Sequence, residues 1–316
     1  LPTILCLLES LDTLDIKDNP VNIPREVLDQ GTTGIKDYLR AGWVSGFISN
    51  NIYRVPLLGD TCAGKTSFVD SLIKDSSHLA DEADRTHVVE AKVWQPQPPS
   101  RSGDQIEVRF LDFGGHTCYR SVCPLFLTRR STPVLLARCD QYCAETHDQN
   151  VSSFMATISE TIPNAPVHLA ISQVDRLPAA DVKAKQDLMD KLTKEHETSI
   201  CRQMQHNIKL LDQQIKAEQN VNVKTELQTE RGKLAELINK RPVLPAKIHA
   251  ISASTLRGVK EMGDEILQVL TDTNIFPEEK VPLSWQDLGI FINRENEPDK
   301  DWCLTWHTVL EVAKRV

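Results

Sequence analysis

The sequence predicts an α/β fold in which a mostly parallel sheet carries helices on both faces. Three observations predict it. Apolar runs of strand length alternate with helical periods along most of the chain. Gly59-Asp60-Thr61-Cys62-Ala63-Gly64-Lys65-Thr66 follows one apolar run and opens a helical pattern. Asp112-Phe113-Gly114-Gly115 closes another apolar run.

Three regions are expected: residues 1–50, residues 51–272, and residues 273–316. The first opens mid-pattern on Leu1-Pro2-Thr3, so the chain reads as a piece of a longer protein. Residues 4–8 are apolar but lack a basic flank and a cleavage site, unlike a secretory signal. Leu11, Leu14 and Ile16 alternate and stop at Asn19-Pro20. That shape predicts a short strand and turn, the last unit and cap of a leucine-rich-repeat array. An ordinary strand-turn-helix is the alternative. A helical pattern follows through Ile35, Tyr38 and Leu39.

In the second region, residues 52–58 predict a buried strand and residues 64–74 a helix. Further strands are expected at 87–94, 105–112, 133–139, 166–171 and 247–252. Helical patterns lie at 116–127, 149–162 and 256–271. Residues 180–241 interrupt the alternation with a Lys-, Glu- and Gln-rich stretch whose apolar residues recur at helical intervals (Leu188, Leu192, Ile208, Leu211, Ile215). This predicts an inserted helical hairpin, either a partner or dimer surface or a solvated decoration. From 273 the character changes, with Pro277, Pro282, Trp285, Trp302 and Trp306 and a helix at 304–315.

Composition narrows the function classes. Hydrophobic residues make up 40% and charged residues 25%, the balance of a soluble globular protein. A formal net charge of −8 with no basic patch argues against a nucleic-acid binder. No apolar run approaches the roughly 18 residues of a membrane span. The 8 cysteines, of which Cys139 and Cys143 are closest, and the 9 histidines have no zinc-binding spacing and predict reduced thiols in the cytoplasm.

The segment from Gly59 to Thr66 fits G-x-x-x-x-G-K-[ST], the phosphate-binding P-loop. Glycines let several backbone N–H groups converge on one anion, and the following helix presents its N-terminal dipole. Lys65 is expected on the β- and γ-phosphates, Thr66 on magnesium, and Ser67 as support for the helix start. Asp112 is the expected second-strand carboxylate for magnesium, and Gly115 lets a backbone N–H approach the γ-phosphate. Asp-Phe-Gly is also a kinase motif, but the other kinase signatures are missing from the sequence. Residues 75–90, with Asp75, Asp81, Glu82 and Asp84, are expected to form the first switch. Thr86 is the candidate switch hydroxyl for magnesium, with Ser76 and Ser77 as alternatives.

The base is read from two loops. Ser172-Gln173-Val174-Asp175 follows an apolar strand, and Asp175 would accept from guanine N1–H and N2–H2 together. Gln173 would lay its stem along the base. Ile251-Ser252-Ala253-Ser254 follows the last strand, and its Ser252-Ala253 turn would offer a backbone N–H to guanine O6. An ATPase is disfavoured by Asp175 and Ala253.

Taken together, these motifs resemble the Roco family: a Ras-like Roc domain followed by a COR domain, often preceded by leucine-rich repeats. The resemblance rests on the P-loop, on Asp112-Phe113-Gly114-Gly115-His116 running into Phe126-Leu127-Thr128-Arg129-Arg130, on the helical stretch after Asp175, and on Val281-Pro282-Leu283-Ser284-Trp285. Gln30-Gly31-Thr32 and Tyr38-Leu39-Arg40 resemble the junction before Roc. The resemblance implies GTP/GDP binding, slow hydrolysis and coupling to a homodimer through COR, with protein partners at the repeats and helical insertion.

One departure bears on catalysis. Ras-like proteins usually carry Gln after D-x-x-G, where this chain has His116. An imidazole cannot accept and donate with the geometry of a carboxamide, so turnover is expected to be slow. Arg120, Arg129 and Arg130 lie nearby in sequence, with surface roles expected. The two functional readings are a guanine-nucleotide switch with weak GTPase activity, and a nucleotide-bound scaffold that recruits partners without catalysis.

Overall fold

The protein is described from a computed structural model covering residues 1–16, 19–80, 86, 89–96, 105–115 and 122–286. The chain divides into two compact units, residues 52–275 and a smaller one built from residues 1–51 and 276–316. Among the described residues no helix is long and apolar enough to cross a membrane.

In the smaller unit, α1 (Arg25–Leu28) and α2 (Gly31–Ser45) are followed by the short strand β1 (Phe47–Ser49). Cys6, Ile23, Val27, Ile35, Tyr38 and Leu39 form its core. No strand forms over residues 11–16, and Leu14 and Ile16 pack against this core instead. A repeat strand takes its ladder from a neighbouring repeat, and the described residues include none. The expected helix at 304–315, with Trp302 and Trp306, lies outside the described residues.

The larger unit starts with β2 (Ile52–Leu58), then α3 (Lys65–Lys74), β3 (Val89–Trp94), β4 (Glu107–Phe113), α4 (Cys123–Phe126) and β5 (Val134–Arg138). It continues through α5 (Ala144–His147), a π turn (Asp148–Ser152), α6 (Ser153–Thr161) and β6 (His168–Ser172). After it come α7 (Ala179–Ala217), α8 (Val221–Asn239), β7 (His249–Ala250) and α9 (Val259–Leu270). The smaller unit's last strand, β8 (Lys280–Pro282), pairs antiparallel with β1. The Tyr38 hydroxyl donates to the Lys280 carbonyl at 2.8 Å beside that pair.

The six-stranded sheet runs β3-β4-β2-β5-β6-β7. Only β3 is antiparallel to its neighbour; the other pairs are parallel. The central strands β5 and β6 are buried on both faces, as their continuous apolar runs require. Alternation along β4 separates two packing layers. Phe110 meets Phe68 of α3 edge-on at 6.4 Å, while Leu111 and Phe113 join the core cluster that contains Met155 and Ile158 of α6. On the α3 side, α9 packs so closely that a Cβ on Gly263 would lie 2.5 Å from the Leu72 side chain.

Helices α7 and α8 form the inserted hairpin. No glycine or proline interrupts the 39 residues of α7, so nothing breaks its hydrogen-bond ladder. Buried side chains are spread along its first half (Val182, Met189, Thr193, Glu197), with Leu211 further along, and α8 has none. Arg241 meets Glu197 in a bidentate pair at 2.8 and 2.5 Å, with the two side chains only 13% and 11% exposed. Arg231 and Asp212 pair at 2.9 Å near the hairpin's outer part, where both are over 40% exposed. Removing one partner of a buried pair strands the other charge, whereas an exposed pair is well solvated. Glu197→Ala is therefore expected to cost about 3–5 kcal/mol. Asp212→Ala should cost under about 1 kcal/mol. Urea unfolding of both variants checks the ranking; equal losses would show that the Arg241 pair is not desolvated in solution.

Candidate functional site

The site lies where β2 runs into α3. Gly59 takes φ +143°, and a Cβ there would lie 2.2 Å from the Leu136 carbonyl oxygen, so no side chain fits. Gly64 takes φ +80° and caps α3, which starts at Lys65. The loop between the two glycines turns back over the helix N-terminus, where backbone N–H groups remain free for an anion. Lys65 is buried, and its ammonium donates to the carbonyls of Gly59 at 2.9 Å and Asp60 at 3.0 Å. Burial pushes its pKa down, and the charge of Asp112 pulls it back up.

Asp112 comes from β4, whose register sets it beside Leu57 of β2. It is fully buried. The Thr66 hydroxyl donates to Asp112 Oδ2 in a short hydrogen bond, and Thr86 donates to the same oxygen at 3.1 Å. The two threonine hydroxyls are 3.4 Å apart. Burial pushes the Asp112 carboxyl up, while the hydrogen bond from Thr66 and the charge of Lys65 pull it down. Its other oxygen, Oδ1, is buried without a hydrogen-bond partner. Such an orphan oxygen beside two hydroxyls is the donor set of a hard divalent cation. Gly115 lies so close to the P-loop that a Cβ would sit 2.2 Å from the Thr61 nitrogen.

The loops after β6 and β7 build the other end. Gln173 adopts the left-handed conformation at φ 58°, and its Nε2 donates to the Cys62 carbonyl at 2.7 Å. That bond ties the loop after β6 to the P-loop. The Ser252 hydroxyl donates to Asp175 Oδ1 at 2.6 Å and holds the Asp175 carboxyl below the ordinary carboxylate range. The Thr255 N–H donates in turn to Ser252 Oγ at 3.3 Å.

One cavity of about 400 Å³ joins these parts, a volume suited to a small-molecule ligand. Its walls include Thr61, Cys62, Ala63, Gly64, Lys65, Thr66, Ser67, Thr86, Asp112 and Gly115 at one end. Gln173, Asp175 and Ala253 form the other. Ser76 and Ser77 are not among its walls, whereas Thr86 is and donates to Asp112. Ser67 accepts from the N–H of Ala80 at 3.1 Å, so it fastens the segment after α3. Arg130, expected on the surface, is instead buried with its guanidinium against the Tyr53 ring at 4.5 Å, and neither it nor Arg129 lines the cavity. His116 and Arg120 lie outside the described residues, as do Asp81, Glu82 and Asp84.

Sequence reasoning missed Arg138 and Arg176, which line the cavity. Both meet Asp140, at 2.6 and 3.4 Å. The available signal was a cation ending the apolar run Val134-Leu135-Leu136-Ala137.

A family model described as "Ras of Complex, Roc, domain of DAPkinase" matches residues 54–175. Over those residues the chain is similar to a Roc domain. A solved structure, Methanosarcina barkeri Roco2 RocCORdC bound to GDP, matches with a TM-score of 0.50 and 16% identity over 86% of this chain. This chain covers 63% of that one, and the likeness is one of fold. The two findings together support a Roco protein, as the sequence resemblance implied. No curated protein matches the chain in sequence.

The Ser252–Asp175 contact is separately testable. Ser252→Ala removes the donor, so the Asp175 pKa should rise toward the ordinary carboxylate value. The carboxyl carbon shift of Asp175 followed against pH reads it. An unmoved midpoint would mean that the hydroxyl does not hold the carboxylate in solution.

Proposed function

We propose that this chain is a guanine-nucleotide switch with slow intrinsic GTP hydrolysis. The observation that supports it is the meeting, in one cavity, of Lys65, Thr66 and Asp112 at one end with Asp175 at the other. The match to a GDP-bound Roco2 structure agrees with it. Residues 59–66 bind the β- and γ-phosphates through backbone N–H groups, and Lys65 adds a charge in a site poor in water, where it counts for more. Thr66, Thr86 and Asp112 are the residues that would hold Mg2+. The ion, when bound, neutralises charge on the phosphate oxygens. Gly115 brings a backbone N–H toward the γ-phosphate. Asp175, already ionised, accepts from the guanine edge, Gln173 covers the base, and the Ser252-Ala253 turn offers an N–H to O6. The domain boundaries for this reading are residues 51–272, with a repeat cap before and a COR-like segment after.

His116 would stand beside the γ-phosphate and orient the attacking water. Its donor and acceptor nitrogens point to opposite sides of the ring, so it cannot hold the water and donate to a phosphate oxygen with the geometry of a carboxamide, and the step is slow. The nucleotide-bound scaffold stays as the second reading, favoured by the same His116 and by Ser172-Gln173 in place of the usual Asn-Lys. In the switch reading, the helical hairpin and the COR-like segment are where protein partners and a second copy would sense the nucleotide.

Two variants test this reading. Asp175→Asn should weaken GDP binding by about tenfold to a hundredfold and relax discrimination against ATP, because a buried polar pairing is lost. Calorimetric titration with GDP and ADP measures it, and unchanged guanine preference would assign base reading to another residue. His116→Gln should raise single-turnover GTP hydrolysis while leaving GDP affinity unmoved. Hydrolysis that stays at background favours the scaffold; a collapse of GDP binding makes His116 a packing residue.

A further inference from the structure

His168, His249 and Glu265 lie away from the nucleotide cavity. His168 opens β6 and His249 opens β7, whereas the cavity is built on the loops at the opposite ends of these strands. Alternation along β6 puts His168 on the face opposite Leu169 and Ile171, and Glu265 reaches it from α9. His168 Nδ1 is 3.4 Å from Glu265 Oε1, and His249 Nε2 is 3.1 Å from Glu265 Oε2. One ligand atom from each residue lies within 4.8 Å of the others, the one such cluster among the described residues.

Both imidazoles are buried, at 3% and 4% side-chain exposure. His168 Nδ1, His168 Nε2 and His249 Nε2 nonetheless have no hydrogen-bond partner of acceptable geometry. Buried nitrogens are rarely left so without an unseen water or ion. Glu265 is 26% exposed, which gives an ion a way in.

We infer that His168, His249 and Glu265 form an open Zn2+ site that bridges β6, β7 and α9. Two imidazoles and one carboxylate are a zinc donor set, with water as the fourth ligand. Zinc bonds of about 2.1 Å at tetrahedral angles put neighbouring ligand atoms about 3.4 Å apart; each imidazole stands about that far from one oxygen of Glu265, and a turn of the carboxylate presents a single oxygen to both. The ion fastens the two-residue edge strand β7, which has few ladder hydrogen bonds of its own. Lys247, 3.4 Å from Glu265 Oε2 but mostly exposed, can swing away when the ion enters. The alternative is a histidine–carboxylate–histidine hydrogen-bond network without metal. This inference is independent of the nucleotide reading.

The test titrates ZnCl2 into the metal-free full chain, without nucleotide, by calorimetry. One Zn2+ per chain is expected, with a higher thermal midpoint. His249→Ala and Glu265→Gln should each weaken binding by about a hundredfold or more, beyond the 10–100-fold typical of outer-shell changes. Glu265→Gln keeps the side chain's size and polarity, so it decides the matter should the histidine variant fail to fold. Co2+ in place of Zn2+ should give visible d–d absorption without a near-ultraviolet thiolate band, which separates this site from the free cysteines. Absence of saturable binding, binding undiminished in both variants, or a thiolate band would overturn the inference.

Discussion

Two buried charges of opposite sign, Lys65 and Asp112, govern the architecture of the larger unit. The parallel register of β2 and β4 sets Leu57 opposite Asp112, so the ends of both strands open onto the same place. Each charge has lost most of its water, and each is held by short local contacts: carbonyls for Lys65, hydroxyls for Asp112. An interior that keeps such groups must supply those contacts from fixed backbone. The glycine at 59 exists to bring the loop against Leu136, and the glycine at 115 to bring the second loop against Thr61. Neither position has room for a Cβ because another segment's backbone lies directly against it.

The same register explains why one cavity reaches two distant ends. All parallel strands present their C-terminal ends on one side, where α/β sheets place their ligands. Residues after β2 and β4 make one end, and residues after β6 and β7 the other. Gln173 bridges them through Cys62, so a shift in either loop is felt by its neighbour. The antiparallel β3 stands outside this pattern at the sheet's edge, where its side chains are half-buried or exposed.

Much of this was legible in the sequence, for physical reasons that differ by element. The P-loop was readable because its backbone conformation restricts residue types at fixed spacing. Strands β5 and β6 were readable because burial on both faces leaves continuous apolar runs, and β2 and β4 because buried apolar residues alternate before the strand ends turn fully inward. Helix α2 was readable from the helical spacing of Ile35, Tyr38 and Leu39. The expected strand at 247–252 proved to be only His249–Ala250, since an edge strand has one partner to define its length. The pairing of β1 with β8 was not legible: each strand has three residues, and their partners are set by three-dimensional neighbours far away in sequence. Nor was the meeting of His168 with His249 and Glu265, because no local spacing relates them. The expected strand at residues 11–16 failed because apolar alternation specifies a face but supplies no ladder.

The hairpin has a mechanical side. At 1.5 Å per residue, the 39 residues of α7 make a rod about 58 Å long. Its root follows directly on the loop that holds Gln173 and Asp175, and most of its buried side chains, Val182 to Glu197, lie along its first half. The 20 residues from Thr198 to Ala217 reach about 30 Å beyond that anchored half. A bend of roughly 5° there moves the far end through about 2.6 Å. The anchored half, held by Glu197 and Arg241, thus limits how far the tip follows a displacement near Asp175.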